Sequence, residues 1–248
     1  MSEQTPEYGL DAPGVIRALF IGGLAAAIVG SFLVGRDLGR QAAPAVGIAS
    51  MMQIVGIGCL IAACLMFVSS RFGKLRARDR LLARLQLRGD EAVLDVGCGH
   101  GLLLIGAAKL LPRGRAVGID LWSQVDQSDN RREATLRNAA LEGVAQRVSV
   151  HDADMRKLPF GDCAFDAAVA HFAIHNVRSR QGRREAVREI VRTLDHGGQV
   201  AISDLTGVGL YADELRKSGM SDVKVSGPSF WTFPPARTVT ARKPPLPA

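Results

Sequence analysis

Three glycines, Gly97, Gly99 and Gly101, alternate with Cys98 and His100 directly behind the apolar run Val93-Leu94-Asp95-Val96. The run reads as a buried parallel strand, and the glycines let the chain turn sharply into a helix opened by Leu102. This is a cradle of the nucleotide-binding type. Leu102 stands where a dinucleotide fingerprint needs its third glycine, and Asp95, just before the loop, would repel a pyrophosphate. The same carboxylate suits a cationic amino-acid end. The loop therefore asks for a ligand that joins a positive end to an adenosine and lacks phosphate.

More residues with chemical potential follow in order. Asp120 ends the strand-like run Val117-Gly118-Ile119-Asp120, about 20 residues past the loop, where nucleotide folds put a carboxylate on the ribose hydroxyls. His171-Phe172-Ala173-Ile174-His175-Asn176 follows a later strand, at the ends where open α/β sheets bind substrates. His171 and His175 lie four apart, which on a helix would put both on one face, as metal ligands can be. No third-ligand motif accompanies them, and no metal is expected. A structural hydrogen bond, or a role as base or substrate-orienting group, are the other readings.

Together with Asp152-Ala153-Asp154, Leu158-Pro159-Phe160, Phe165-Asp166 and Gly197-Gly198, these motifs resemble those of the class I S-adenosylmethionine-dependent methyltransferases. Within that family the likeness is to the ubiquinone/menaquinone C-methyltransferase-like group, over residues 89–248. The resemblance implies S-adenosyl-L-methionine as cofactor, held by Asp95, Gly97, Gly99 and Gly101, with Asp120 on its ribose. It further implies Asp154 accepting the adenine amino group, Met155 packing on the ring or bonding through its backbone, and Leu121 covering the other face. Trp122 shares that face or simply packs. His175-Asn176 matches relatives, so His175 leads as the candidate base, and His171 lines the cofactor or shares the catalytic role.

The same segment discriminates among subclasses. It holds no Asn/Asp-Pro-Pro-aromatic sequence of adenine N-methyltransferases, and no Pro-Cys nucleophile of cytosine C5 enzymes. An acidic magnesium ligand is replaced by His171, and two cysteines outside the apolar front are too few for arsenite chemistry. Small-molecule O- or C-methyl transfer remains.

Positioning these residues takes alternating elements. Strands are expected near 92–96, 116–119, 148–151, 167–170 and 199–203, with helices at 102–111, 132–142 and 183–194. Two late runs, 223–226 and 238–241, would make an antiparallel edge hairpin. The expected fold is an α/β, Rossmann-like, doubly wound and mostly parallel sheet preceded by two transmembrane helices. The polar run 126–130 could be a substrate lid or an ordinary turn. Phe230, Trp231 and Phe233, with Pro234 and Pro235, either roof an apolar pocket or pack the last hairpin.

The front of the chain is different. Mean hydropathy is positive, +0.11, in a chain with 31 Lys and Arg, because residues 18–35 and 41–70 carry no charge. A bilayer core needs about 20 apolar residues of helix, so spans are expected at about 18–35 and 45–68. Buried core helices are the alternative; a signal peptide is disfavoured by Glu3, Glu7 and Asp11 in the leader. Gly23, Ala26, Ala27 and Gly30 put small residues at helical spacing for a close partner, and Gln53 could add an interhelical hydrogen bond. The expected division is a leader and hairpin over 1–70, a basic linker helix over 71–88, with 76–87 amphipathic, and the catalytic domain over 89–248.

Seven basic residues, Arg71, Lys74, Arg76, Arg78, Arg80, Arg84 and Arg88, face only Asp79 in that linker, and so account for all but one of the formal net charge of +7. Their position predicts that both termini and the catalytic domain are cytoplasmic, and that the linker is drawn to anionic membrane lipids. It also removes the case for nucleic-acid binding. The four cysteines form no metal or disulfide pattern. The expected function is methyl transfer to a lipophilic small molecule at the membrane; a noncatalytic membrane-anchored cofactor-binding or scaffold module is the alternative. Oligomeric state is left open.

Overall fold

The computed structural model describes residues 5–38, 43–123 and 129–246. Seven strands form one sheet: β1 (Ala92–Val96), β2 (Arg115–Asp120), β3 (Val148–Asp152), β4 (Phe165–His171), β5 (Leu194–Asp204), β6 (Ser221–Val225) and β7 (Arg237–Arg242). Their order is β3-β2-β1-β4-β5-β7-β6, with β1 to β5 parallel and β7 antiparallel to both neighbours. The mostly parallel sheet with an antiparallel edge matches the expectation from the sequence. Strand order reverses between β1 and β4, which opens a crevice at their carboxyl ends.

Neighbouring strand residues face opposite sides. Leu94, Ile119, Ala168 and Ile202 pack against α6 (Arg180–Thr193) and α7 (Val208–Lys217), through Val187, Ile190, Tyr211 and Leu215. Val93, Ala116, Val169 and Ala201 pack against α4 (Leu102–Leu110), through Leu104 and Ile105. With both faces covered, the central strands are mostly apolar on both sides, Asp95 in β1 and Asp166 in β4 being exceptions. Helix α5 (Arg132–Leu141) adds Ala139 to the second face.

Helix α7 has no counterpart in the sequence reading. Its signal was present: Val208, Tyr211, Ala212 and Leu215, all buried, follow i, i+3, i+4, i+7.

At the front, α1 (Pro13–Leu38) and α2 (Ala43–Val68) pack on each other and are long and apolar enough to cross a membrane. Only 11% of the apolar window of each is buried, so neither is a core helix of the fold. The small residues meet at the crossing: a Cβ on Gly56 would lie 2.5 Å from the Ala27 nitrogen, and one on Gly30 2.7 Å from the Gln53 nitrogen. The Gln53 amide donates to the Ser31 hydroxyl at 3.0 Å, the interhelical bond expected of it.

Helix α2 runs through a π-helical turn (Ser69–Gly73) into α3 (Lys74–Leu82) and a 3₁₀ turn (Ala83–Leu85), which reaches the sheet through Leu81, Leu82 and Leu85. Arg78 is turned inward: its stem lies against Gly106 and its guanidinium pairs with Asp79 at 2.8 Å.

Candidate active site

The glycine loop connects β1 to α4, and backbone bonds tie it to β2. The Gly97 and Cys98 amides both donate to the Ile119 carbonyl, at 2.8 and 3.0 Å, and Gly101 N–H donates to Cys98 O at 2.8 Å. Gly97 has φ +77°, and a Cβ there would run into the side chain of Ala173. Position 97 thus needs glycine both for its backbone and for the approach of the β4 loop. Gly101 starts α4 and does not line the cavity. Gly97 and Gly99 do, in a cleft of about 650 Å³ at the carboxyl ends of the strands.

Asp95, Asp120, Leu121, Asp154, Met155, His171, His175 and Asn176 line the same cavity. The fold therefore gathers all the candidate side chains. Asp120 accepts from Gly99 N–H at 2.8 Å, Trp122 N–H at 2.7 Å and the Asn130 amide at 3.3 Å. A carboxylate has about four acceptor positions, so its grip on the loop leaves room for one more donor. Asp154 is held by the Arg156 guanidinium at 2.5 Å, which keeps its carboxyl below the usual range. Trp122 is not among the residues lining the cavity; its indole donates to Asp152 at 2.6 Å and it packs on the core. Of the 126–130 run, 126–128 lie outside the described residues.

Asp95 is the electrostatic centre of the cleft. It is buried, its Oδ2 has no hydrogen-bond partner among the described residues, and its carboxyl is pushed up to about 8 by burial, with the Asp120 charge adding and the Leu104 amide opposing. A buried carboxyl with an unused oxygen in a cavity is what a cationic group would complete. The residues present therefore fit a ligand with an ammonium end.

The histidines are not on a helix, so their four-residue spacing does not place them on a common helical face. His171 ends β4, and His175 lies in a 3₁₀ turn (Ile174–Asn176), because the chain leaves the strand through Phe172 at φ +53°. The described residues bring no three His, Cys, Asp or Glu side chains together in a metal-binding arrangement. His171 stacks on Phe172, and burial pushes its ring down to about 4, so it is neutral at neutral pH. His175 Nδ1 lies 2.5 Å from Oδ1 of Asp204, a buried carboxylate at the end of β5. Asp204 Oδ2 also takes the His175 backbone N–H at 3.0 Å and the Tyr211 hydroxyl at 3.1 Å. Arg183 on α6 clamps the same turn, donating to the His175 and Val177 carbonyls, both at 2.7 Å. The dyad leaves the opposite ring nitrogen, Nε2, to act as a base. Sequence reading missed Asp204, although an Asp ending an apolar strand was the available signal.

A second omission is the leader. Residues 5–12 run over the glycine loop, with Glu7 bonded through its N–H and its carbonyl to the Asn138 amide (3.0 and 2.8 Å) and its carbonyl 3.1 Å from His100 Nδ1. Lys74 donates to the Tyr8 and Gly9 carbonyls at 2.7 and 2.5 Å and pairs with Asp11. Tyr8, Asp11, Ala12 and Lys74 all line the cavity. Phe230, Trp231 and Phe233 are not among its lining residues, so they do not roof it; Trp231 and Phe233 lie against α3 and the π-helical turn, and Phe230 is exposed.

Residues 94–202 match the family model described as a methyltransferase domain. The chain is 28% identical over 159 residues to 27-O-demethylrifamycin SV methyltransferase of Amycolatopsis mediterranei, covering 60% of this chain and 54% of that protein. It is 30% identical over 119 residues to demethylmenaquinone methyltransferase of Symbiobacterium thermophilum, covering 48% and 44%. The match thus spans about half the length of these curated relatives. Among solved structures it resembles a SAM-dependent methyltransferase from Aquifex aeolicus, with TM-score 0.55, 19% identity, and 68% and 90% of the two chains covered. That likeness establishes the fold.

Proposed function

We propose that this chain, of which residues 94–202 match a methyltransferase-domain model, transfers a methyl group from S-adenosylmethionine to a lipophilic small molecule at the membrane surface. One observation carries this reading. A single cavity joins Asp95, Asp120 and Met155 to His175, and its lining includes Tyr8, Asp11 and Lys74, which lie next to the ends of two apolar helices. An acceptor dissolved in the bilayer would reach the site from that side.

The bound sulfonium supplies an already electrophilic methyl group, which leaves alignment and exclusion of water to the protein. Asp95 would hold the ammonium end, Asp120 the ribose, and Met155 and Leu121 the base. His175 would take the proton from a phenolic or enolic acceptor, with Asp204 fixing its tautomer and Arg183 its loop. His171, neutral in its buried site, would orient the acceptor or line the cofactor. The basic residues that follow α2 favour a topology with both termini and the catalytic domain cytoplasmic, where the cofactor is made.

Membranes with and without the protein, incubated with methyl-labelled cofactor and extracted with organic solvent, test the reading. A labelled extractable product that requires the protein is expected. Label only in the aqueous phase would remove the lipophilic acceptor, and no label with any added extract would remove the activity.

A further inference from the structure

Resting on that membrane reading, we infer that the loop between β6 and β7, residues 226–236, is a further membrane contact, seated in the headgroup layer of an anionic bilayer beside the end of α2. The loop is uncharged and contains Phe230, Trp231 and Phe233. Ser69, the first residue after α2, accepts the Phe233 N–H at 3.0 Å. A Cβ on Gly73 would run into the Trp231 carbonyl, so the loop backbone lies directly on the π-helical turn. The chain thereby fixes these aromatics at the depth where the uncharged helix ends.

The side chains suit that depth. The Trp231 ring lies 5.3 Å from the Arg76 guanidinium and 4.9 Å from that of Arg80. Such a stack covers the aromatic face and leaves two cations directed at phosphates. Phe230 is 79% exposed and Phe72, in the same turn, 57%. Neither contributes to the cavity, and aromatic residues with an apolar body settle at the water–lipid boundary. With the span ends and this loop all held at the surface, the catalytic domain is kept from rolling, and the side of the cavity lined by Tyr8 and Lys74 stays turned to the bilayer.

The test uses the full chain with Trp122→Phe, which leaves Trp231 as its one tryptophan, in phosphatidylglycerol vesicles carrying nitroxide lipids. A label near the headgroup should lower Trp231 emission by about twofold, and a label at the acyl terminus should leave it unchanged. Phe230→Glu should weaken the quenching while the protein still resists alkaline carbonate extraction. Unquenched Trp231 in a carbonate-resistant protein would overturn the inference and leave the anchoring reading intact. Release by carbonate would take down both. Emission that shifts with protein concentration in detergent, without lipid quenching, would assign the patch to a second copy and also overturn it. Equal quenching in phosphatidylcholine would sink the requirement for anionic lipid.

Discussion

Asp95 lines the cavity, its Oδ2 has no partner among the described residues, and burial holds its carboxyl near pH 8, so a cationic ligand must drive off a proton to bind below that value. Cofactor affinity should therefore rise with pH from 6 to about 7.5, by up to roughly tenfold per unit, and fall above 8, where the ligand's α-amino group loses its own proton. Asp95→Asn should abolish the rise and weaken binding, as titration calorimetry at several pH values would detect. The stability sign is opposite. The folded carboxyl keeps its proton where the unfolded one, near 3.8, has lost it, so the ligand-free protein should lose stability as pH rises through that interval. His175→Ala should lower kcat by roughly 10²- to 10⁴-fold with cofactor affinity unchanged. Asp204→Asn should follow it partway, because the backbone N–H of His175 and the Tyr211 hydroxyl keep an acceptor while the imidazole loses its carboxylate. Single-turnover kinetics separates these effects from binding; an unimpaired chemical step in His175→Ala would remove the base.

Among the elements, the leader and the helix that carries Lys74 form one device. The ammonium binds two leader carbonyls and Asp11, so it holds residues 8–11 in place where Tyr8 and Asp11 line the cleft. Hydrogen bonds to a charged group contribute about 1.5–3 kcal/mol each, and Lys74→Met should release the strap without disturbing the sheet. Faster amide exchange over 5–12 and a faster cofactor off-rate are expected; unchanged exchange would place the strap's stability in Tyr8 and Glu7 alone. None of this was legible in sequence. A leader with three acids reads only as a poor signal peptide, and a lysine among seven basic residues reads as one more solvated charge.

At the scale of the whole molecule, the two ends of the hairpin meet: the Asp11 amide donates to the Ser70 hydroxyl at 2.8 Å. Residues 13–68 can therefore be replaced by a short glycine linker with the leader left in place. That protein should fold, bind cofactor as the full chain does and methylate a short-chain soluble analogue. Its activity on a long-chain acceptor in vesicles should fall by roughly 10²-fold, the scale of a lost local concentration. Equal activity of the two proteins in vesicles would show that the spans serve location or a partner instead. Removing 1–73 is a different experiment, because it strips the strap as well and should also weaken cofactor binding.

The sequence by itself determined the seven-strand alternation, the glycine turn, the position of Asp95 and Asp120 beside it, and the two apolar helices with their small-residue contact. Each of these is written in near neighbours: periodicity, a left-handed turn that needs glycine, a carboxylate at a strand end, an uncharged run of fixed length. Only the tertiary structure decided that Asp204 holds His175 from 29 residues away, that Tyr8 lies against Glu142, and that Phe233 is bonded to Ser69. Those pairs depend on the order of strands in the sheet and on where the helical stem of α2 and α3 meets it. Such long-range juxtapositions are set by the packing of the whole core, and no local pattern encodes them.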